Sequence, residues 1–447
     1  MAETGPASSA EIAPLTHRRV LAIALPIVLA NATIPLLGLV DTGVVGQMGE
    51  AAPIGAVGIG AVILTSIYWV FGFLRMGTSG LVAQSHGAGD TPEVGAHLLR
   101  ALAIAAAAGL FFILFQLPLF WAAFKLAPTT PEVEGLARDY LAIRIWGAPA
   151  TIALYAITGW LIAVERTRAV LVLQLLQNGL NVGLDVWFVL GLGLGVPGVA
   201  WATLIAEWAG VAFGLWLARD VLRAAIVAAG SAATLFARDK VNRLARVNGD
   251  IMIRSVVLQA SFTSFMFLAA GYGDVTLAAN QVLIQFLSIT AFALDGFAFA
   301  AESLVGQAVG AHRPGRVRRA SVLTSQWGVA GAAVLGLVFL LAGPSIIDLL
   351  TTSPEVRAEA RIYLPWLVIA PLIGIASWML DGIFIGATLT REMRIAMLQS
   401  VAVYLVALLI LPPAFGNHGL WAALMVLNLT RGLTMARRYP RAEAVAA

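Results

Sequence analysis

The chain has 447 residues, of which 60% are hydrophobic and 12% charged, with a formal net charge of +4. A soluble fold cannot bury that much apolar surface, and the absence of cysteine excludes disulfides and thiolate metal sites. A mean hydropathy of +0.88, repeated apolar runs and no polar/apolar alternation exclude a β-barrel and predict membrane-spanning helices.

Twelve spans are predicted, at 19–47, 54–84, 97–122, 138–160, 169–192, 197–218, 249–270, 278–308, 319–342, 361–385, 395–412 and 418–435. The first is too long for a secretory leader and holds Asn31 and Pro35. Its segment Val20–Val40 is uncharged and is followed by Asp41 in "LLGLVDTGVVGQMGE". An ionisable residue inside a span is a functional candidate, because inserting it costs about 2.5–3.5 kcal/mol. Pro26 and Pro35 each remove a backbone hydrogen bond and favour a bend. Such a bend is either static or coupled to protonation of Asp41.

The fifth span carries Gln174, Asn178, Asn181 and Asp185, whose spacing makes one polar stripe. The sixth carries Thr203 and Glu207 on one face, with Glu207 nearer the midplane. At a rise of about 1.5 Å per residue, Asp41, Asn181, Asp185 and Thr203 fall at one depth in the outer half. Two carboxylates with amide and hydroxyl oxygens suit a hard cation such as Na⁺. Burial would equally raise a carboxylate towards neutral pH, so that it carries a proton. The plainer reading is helix-to-helix hydrogen bonding.

The eighth span aligns Gln281, Gln285, Ser288, Asp295 and Glu302, and the tenth holds Asp381. These acids fall in the inner half, where Arg254 of the seventh span is their expected ion-pair partner. Together with Asn178 and Glu207 they form a candidate second polar site, or a structural ion-pair network.

"TTPEVEGLARDYL" and "TTSPEVRAEARIYL" align at a shift of 223 residues, which also pairs Gln84 with Gln307, Gly87 with Gly310 and Gly159 with Gly382. The chain is therefore read as a duplicated six-helix unit. The expected division is a first lobe at 1–222, a cytoplasmic linker at 223–248 and a second lobe at 249–447. The acids are not duplicated: Asp41 meets Ser264, Asp185 meets Leu408 and Asp295 meets Gly72.

Inside segments hold 21 basic residues, counting four near the C-terminus, and outside loops hold 4. This asymmetry predicts cytoplasmic termini, and it explains the pI of 9.7 without nucleic-acid binding. Arg75, Arg144 and Arg254 remain within spans. No GxxxxGK is present, which argues against ATP-driven transport by this chain. "GTSG" at Gly77–Gly80 is like the serine motif of intramembrane proteases, but the five histidines all fall near loops or helix ends.

The segments "ALPIVLANATIPLLGLVDTGVVGQMG", "FGFLRMGTSGLVAQSHGAGD", "LNVGLDVWFVLGLGLGVPGVAWATLIAEW", "LAANQVLIQFLSITAFALDGFAFAAESLVGQAVGA" and "WMLDGIFIGAT" resemble the multidrug and toxic compound extrusion family, in its DinF-like branch. The resemblance runs in order over nearly the whole chain. It implies an all-α membrane protein with twelve helices in two six-helix lobes. It further implies a secondary transporter of the bacterial inner membrane, not an enzyme. Such a protein exports organic, often cationic, drug-like compounds and takes H⁺ or Na⁺ inward. No cofactor is implied beyond the coupling ion, and a monomer in contact with membrane lipids is expected. Asp41, Asn181, Asp185 and Thr203 match the family's first-lobe cation site, and H⁺ is favoured there over Na⁺. Pro26 matches its bending proline, and Asp295, Glu302 and Asp381 fit the branch pattern. Trp160 and Trp187 are candidate liners of an aromatic cavity for lipophilic cations. The alternatives are a flippase for a lipid-linked precursor, which needs a more cationic cavity, an intramembrane enzyme or a passive channel.

Overall fold

The computed structural model describes residues 14–34, 40, 43–47, 50–126 and 129–447. Asp41 and Pro35 lie outside the described residues. All regular secondary structure among the described residues is helical. In chain order the helices are α1 (His17–Ala32), α2 (Ala51–Trp69), α3 (Gly72–Gly87), α4 (Thr91–Leu114), α5 (Gln116–Leu126), α6 (Pro131–Arg144), α7 (Ala148–Ala163), α8 (Thr167–Asp185) and α9 (Gly195–Ala229). They continue as α10 (Ala232–Leu235), α11 (Arg238–Ala269), α12 (Asp274–Gly310), α13 (Pro314–Leu350), α14 (Pro354–Gly386), α15 (Thr390–Ala436) and α16 (Pro440–Ala444).

Among the described residues, nine helical runs are long and apolar enough to cross a membrane. The predicted second span is α2 and α3, read through a break at Val70 and Phe71. The fourth joins α6 and α7 through a short 3₁₀ turn, Ile145–Gly147. The eleventh and twelfth lie within α15 and are separated at Gly416, whose φ of 57° and ψ of −137° are not helical. Pro412 and Pro413 precede that turn and remove two amide donors from the helix ladder. The sixth is α9, which runs on without interruption to Ala229, well past the membrane-length segment.

The duplication is written into the turns. Six residues in the left-handed region pair at a separation of 223: Gly89 with His312, Glu165 with Thr388, and Gly193 with Gly416. Each pair ends equivalent helices of the two copies. The helix starts repeat as well. Thr130 caps α6 by accepting from the Val133 amide, and Ser353 caps α14 by accepting from Val356, with a proline and a glutamate following in both. A hydroxyl cap satisfies an orphan amide, and the glutamate suits the helix dipole.

Burial divides the molecule by height. One core is shared by both lobes and includes Ile23, Val82 and Trp160 from the first and Leu304, Val309 and Phe384 from the second. It lies at the end that also holds the linker, here termed the linker end. At the opposite end the lobes have separate cores. One contains only first-lobe residues such as Val45, Tyr140 and Val199. The other contains only second-lobe residues such as Phe286, Tyr363 and Trp421. The two lobes are therefore packed together at the linker end and independently packed at the other.

Candidate functional site

The polar stripe of α8 is present and is used along its whole length. Gln174 donates to Asn178 Oδ1 at 3.1 Å. Asn178 in turn donates to Thr33 Oγ1 at 2.9 Å, tying α8 to the far end of α1. One turn further, Asn181 Nδ2 donates to Thr203 Oγ1 of α9 at 3.0 Å, and Thr203 donates to the Val199 carbonyl at 3.0 Å. Asn181 is 1% exposed and Asp185 is fully buried. The Asn181 Oδ1 acceptor has no hydrogen-bond partner among the described residues.

Asp185 is the last α-helical residue of α8. The chain continues as a π-helix, Val186–Gly191, a distortion that concentrates at functional sites. The structure thus joins Asn181 to Thr203 between α8 and α9, with Asp185 buried one turn further along the same stripe, while Asp41 falls outside the described residues.

Glu207 does not join this group. It lies one turn beyond Thr203 and is held by both terminal nitrogens of Arg144, at 2.8 and 2.9 Å. A two-pronged pair between groups this well buried neutralises both charges. Sequence reasoning placed Arg144 inside a span but had no means of naming its partner 63 residues away.

The second-lobe acids are also held by arginine. Asp381 pairs with Arg254 and with Arg431, the latter at 2.7 Å. Arg431 was expected among the cytoplasmic charges near the C-terminus. It is instead 3% exposed, anchored also by Asn428 Oδ1 at 3.2 Å. Glu302 pairs with Arg75 of the first lobe, at 3.0 and 3.3 Å, and not with Arg254. The Arg75 guanidinium also lies 3.9 Å from the centre of the Phe299 ring, a favourable cation–π distance. Asp295 is half-buried on the same helix, two turns before Glu302. Gln281 and Gln285 are exposed on α12, and Ser288 is half-buried.

Pro26 lies inside α1. Of the two expected cavity liners, Trp160 is only 1% exposed and belongs to the shared core, which rules it out as a lining residue. Trp187 is 57% exposed, on the π-helical segment beside Phe188. Among the described residues, no group of three or more histidine, aspartate or glutamate side chains is arranged to hold a metal ion.

A family model described as MatE matches residues 26–187 and again 251–411. The double match falls on the two copies of the repeat. The chain is 40% identical to DNA damage-inducible protein F of Escherichia coli (strain K12), over 94% of this chain and 91% of that protein. It is 28% identical to the probable multidrug resistance protein NorM of Deinococcus radiodurans, over 94% of this chain and 93% of that one. Among solved structures, it matches an outward-facing conformation of a multidrug resistance MATE family transporter with a TM-score of 0.86, covering 96% of both chains at 19% identity. A MATE structure in the bent conformation matches with the same TM-score of 0.86 and 18% identity. At these identities the structural matches speak for the fold alone.

Proposed function

The chain belongs to the MatE family, and from that premise we propose that it exports organic, drug-like compounds, many of them cationic, in exchange for an inward-moving cation. It is a multi-pass membrane transport protein and not an enzyme. The coupling cation would be held in the first lobe by Asp41, Asn181, Asp185 and Thr203. The observation that carries this reading is the buried Asn181–Thr203 contact with Asp185 one turn away on the same stripe. A carboxylate at that position would supply the negative charge that a coupling cation needs.

The hydrogen bonding favours H⁺ over Na⁺. Thr203 Oγ1 donates to Val199 and accepts from the Asn181 amide nitrogen. Na⁺ needs several oxygen lone pairs facing it, and the Thr203 oxygen already accepts one hydrogen bond from Asn181. A proton needs only a carboxylate oxygen. Elsewhere in the spans, Glu207, Glu302 and Asp381 are neutralised by arginine. That argues for a structural role of Glu302 and Asp381 and for coupling in the first lobe. The same pairing disfavours a flippase for pyrophosphate-bearing lipids, because Arg75, Arg144, Arg254 and Arg431 already serve carboxylates.

Transport would proceed by alternating access between lobes 1–222 and 249–447, joined by 223–248. The shared core at the linker end and the separate cores opposite support a conformation open on the side away from the linker. The basic linker supports a cytoplasmic linker end, with the chain a monomer in the bacterial inner membrane. In the open state, protonation of Asp41 and Asp185 would weaken substrate binding, and the two events are linked by their different affinities for the two states. Pro26 would let α1 bend between those states.

Reconstituted transport under separately imposed H⁺ and Na⁺ gradients tests the proposal. The expected result is H⁺-driven export by the native chain and its loss in Asp41→Asn and in Asp185→Asn. Undiminished gradient-driven export by either variant sinks the mechanism. Export driven by Na⁺ alone would reassign the ion.

A further inference from the structure

The linker end is closed by a pair of contacts related by the internal repeat. Gln84 on α3 donates through Nε2 to the Gly386 carbonyl at the end of α14, at 3.1 Å. Gln307 on α12 donates through Nε2 to the Ala163 carbonyl at the end of α7, at 3.0 Å. The donors are separated by 223 residues, and so are the acceptors. Each lobe therefore uses a glutamine to satisfy a terminal helix carbonyl of the other, one of the groups a helix leaves without an internal partner. The backbones cross at the same place. A Cβ added at Gly87 would run into the Gln307 carbonyl, and one added at Gly310 would run into that of Gln84.

Further polar contacts surround this crossing. Gln84 Nε2 also lies 3.0 Å from Thr388 Oγ1, and Gln84 Oε1 accepts from Arg243 of the linker at 3.2 Å. Ser303 donates to the same Ala163 carbonyl at 3.1 Å. One lobe-to-lobe ion pair, Arg75–Glu302, sits further in and has no repeated counterpart, since the equivalent positions are Ala298 and Ser79. Amides and carbonyls that separate at a membrane surface are taken up by water with little net loss, while the apolar contacts of the shared core on the same side, such as Ala83 beside Gly306, must part as well.

We infer that Gln84 and Gln307 form a two-fold clasp that gates the linker end, holding it shut while the other end is open and releasing it in the opposite state. The inference rests on the alternating-access reading. The two glutamines touch neither cation nor substrate. They set the balance between the two states by holding the lobes in position.

The test exploits the absence of native cysteine. Ala83→Cys, buried in the seam beside Gly306, serves as the reporter in every variant, and its labelling by a membrane-permeant maleimide reads opening of the linker end. Gln84→Met and Gln307→Met remove the donors while keeping an unbranched side chain. Each single substitution is expected to raise the labelling rate about fivefold, and the pair roughly twenty-five-fold. A second arm joins Gln84→Cys to Thr388→Cys with a short bifunctional thiol reagent that a reductant cleaves. Crosslinking is expected to stop gradient-driven export and cleavage to restore it, which separates gating from misfolding. An unchanged labelling rate in the double methionine variant overturns the clasp, as does undiminished export by the crosslinked protein. Faster labelling in that variant, with no response of the reporter to an imposed H⁺ gradient in the protein with both glutamines, upholds the clasp and sinks the coupled-exporter reading instead.

Discussion

Asp185 and Glu207 are both acids of the first lobe, set in different surroundings. Asp185 is fully buried on a stripe of amides; Glu207 is gripped by a guanidinium. Removing the Glu207 charge leaves Arg144 buried and uncompensated. Glu207→Gln is therefore expected to destabilise the protein by about 3–5 kcal/mol. Arg144→Met with Glu207→Leu should recover most of that loss, because an apolar pair replaces the ion pair at little cost. Thermal unfolding in detergent measures both. At this scale the sequence made the amide stripe and Asp185 readable, since helical spacing alone puts them on one face. It did not make partners readable. Arg431 looked like a flanking charge because it is close to the C-terminus, and only the packing of α15 against α14 shows that it serves Asp381. Trp160 failed for a related reason: hydrophobicity says that an indole leaves water, but not whether it meets a cavity or a core.

Among the elements, the turns carry the most specific information. Gly416 adopts a φ of 57° where the last two spans meet, while its counterpart in the other matching turns is sometimes not glycine: His312 has a φ of 51°. A side chain in the left-handed region costs about 1 kcal/mol. Gly416→Ala, at a ψ of −137° that glycine alone adopts readily, should lower stability by about 1–3 kcal/mol, and His312→Gly should raise it by up to about 1 kcal/mol. Opposite shifts in the unfolding midpoint are the expected outcome. The repeat itself was legible, because "TTPEV" and "TTSPEV" encode the same cap and first turn. The π-helical segment after Asp185 was not. Nothing in the period of apolar residues distinguishes a π-turn from an α-turn over so few residues, and the break at Val70 and Phe71 was hidden in a continuous apolar run for the same reason.

The molecule as a whole is closed at one end by close backbone approach. Gly310 sits against the Gln84 carbonyl, and backbone cannot swing aside as a side chain can. Gly310→Ala is expected to destabilise the protein by more than 1 kcal/mol. Gly58→Ala, with nothing within 4 Å of the added methyl, should gain about 1 kcal/mol from helix propensity. Comparing their unfolding midpoints isolates the seam from the general effect of adding a methyl group to a helix. Two six-helix lobes were legible from the constant offset and the even number of spans. How they meet was not, because the offset pairs Gln84 with Gln307 without saying that each reaches into the other's lobe.

The crossed seam has a consequence for how the chain is made. Gln307 meets its acceptor 144 residues back, but Gln84 must wait for a carbonyl 302 residues ahead. At roughly 5–20 residues per second on the ribosome, the first half stands in the bilayer with an unfinished face for about 15–60 s. During that interval its glutamine and its exposed carbonyl are complementary to those of any other half-made copy, since the seam is two-fold. Two nascent chains can thus satisfy one another before either second half arrives. A swapped dimer of first halves is the by-product that crowded ribosomes on one message would be expected to yield.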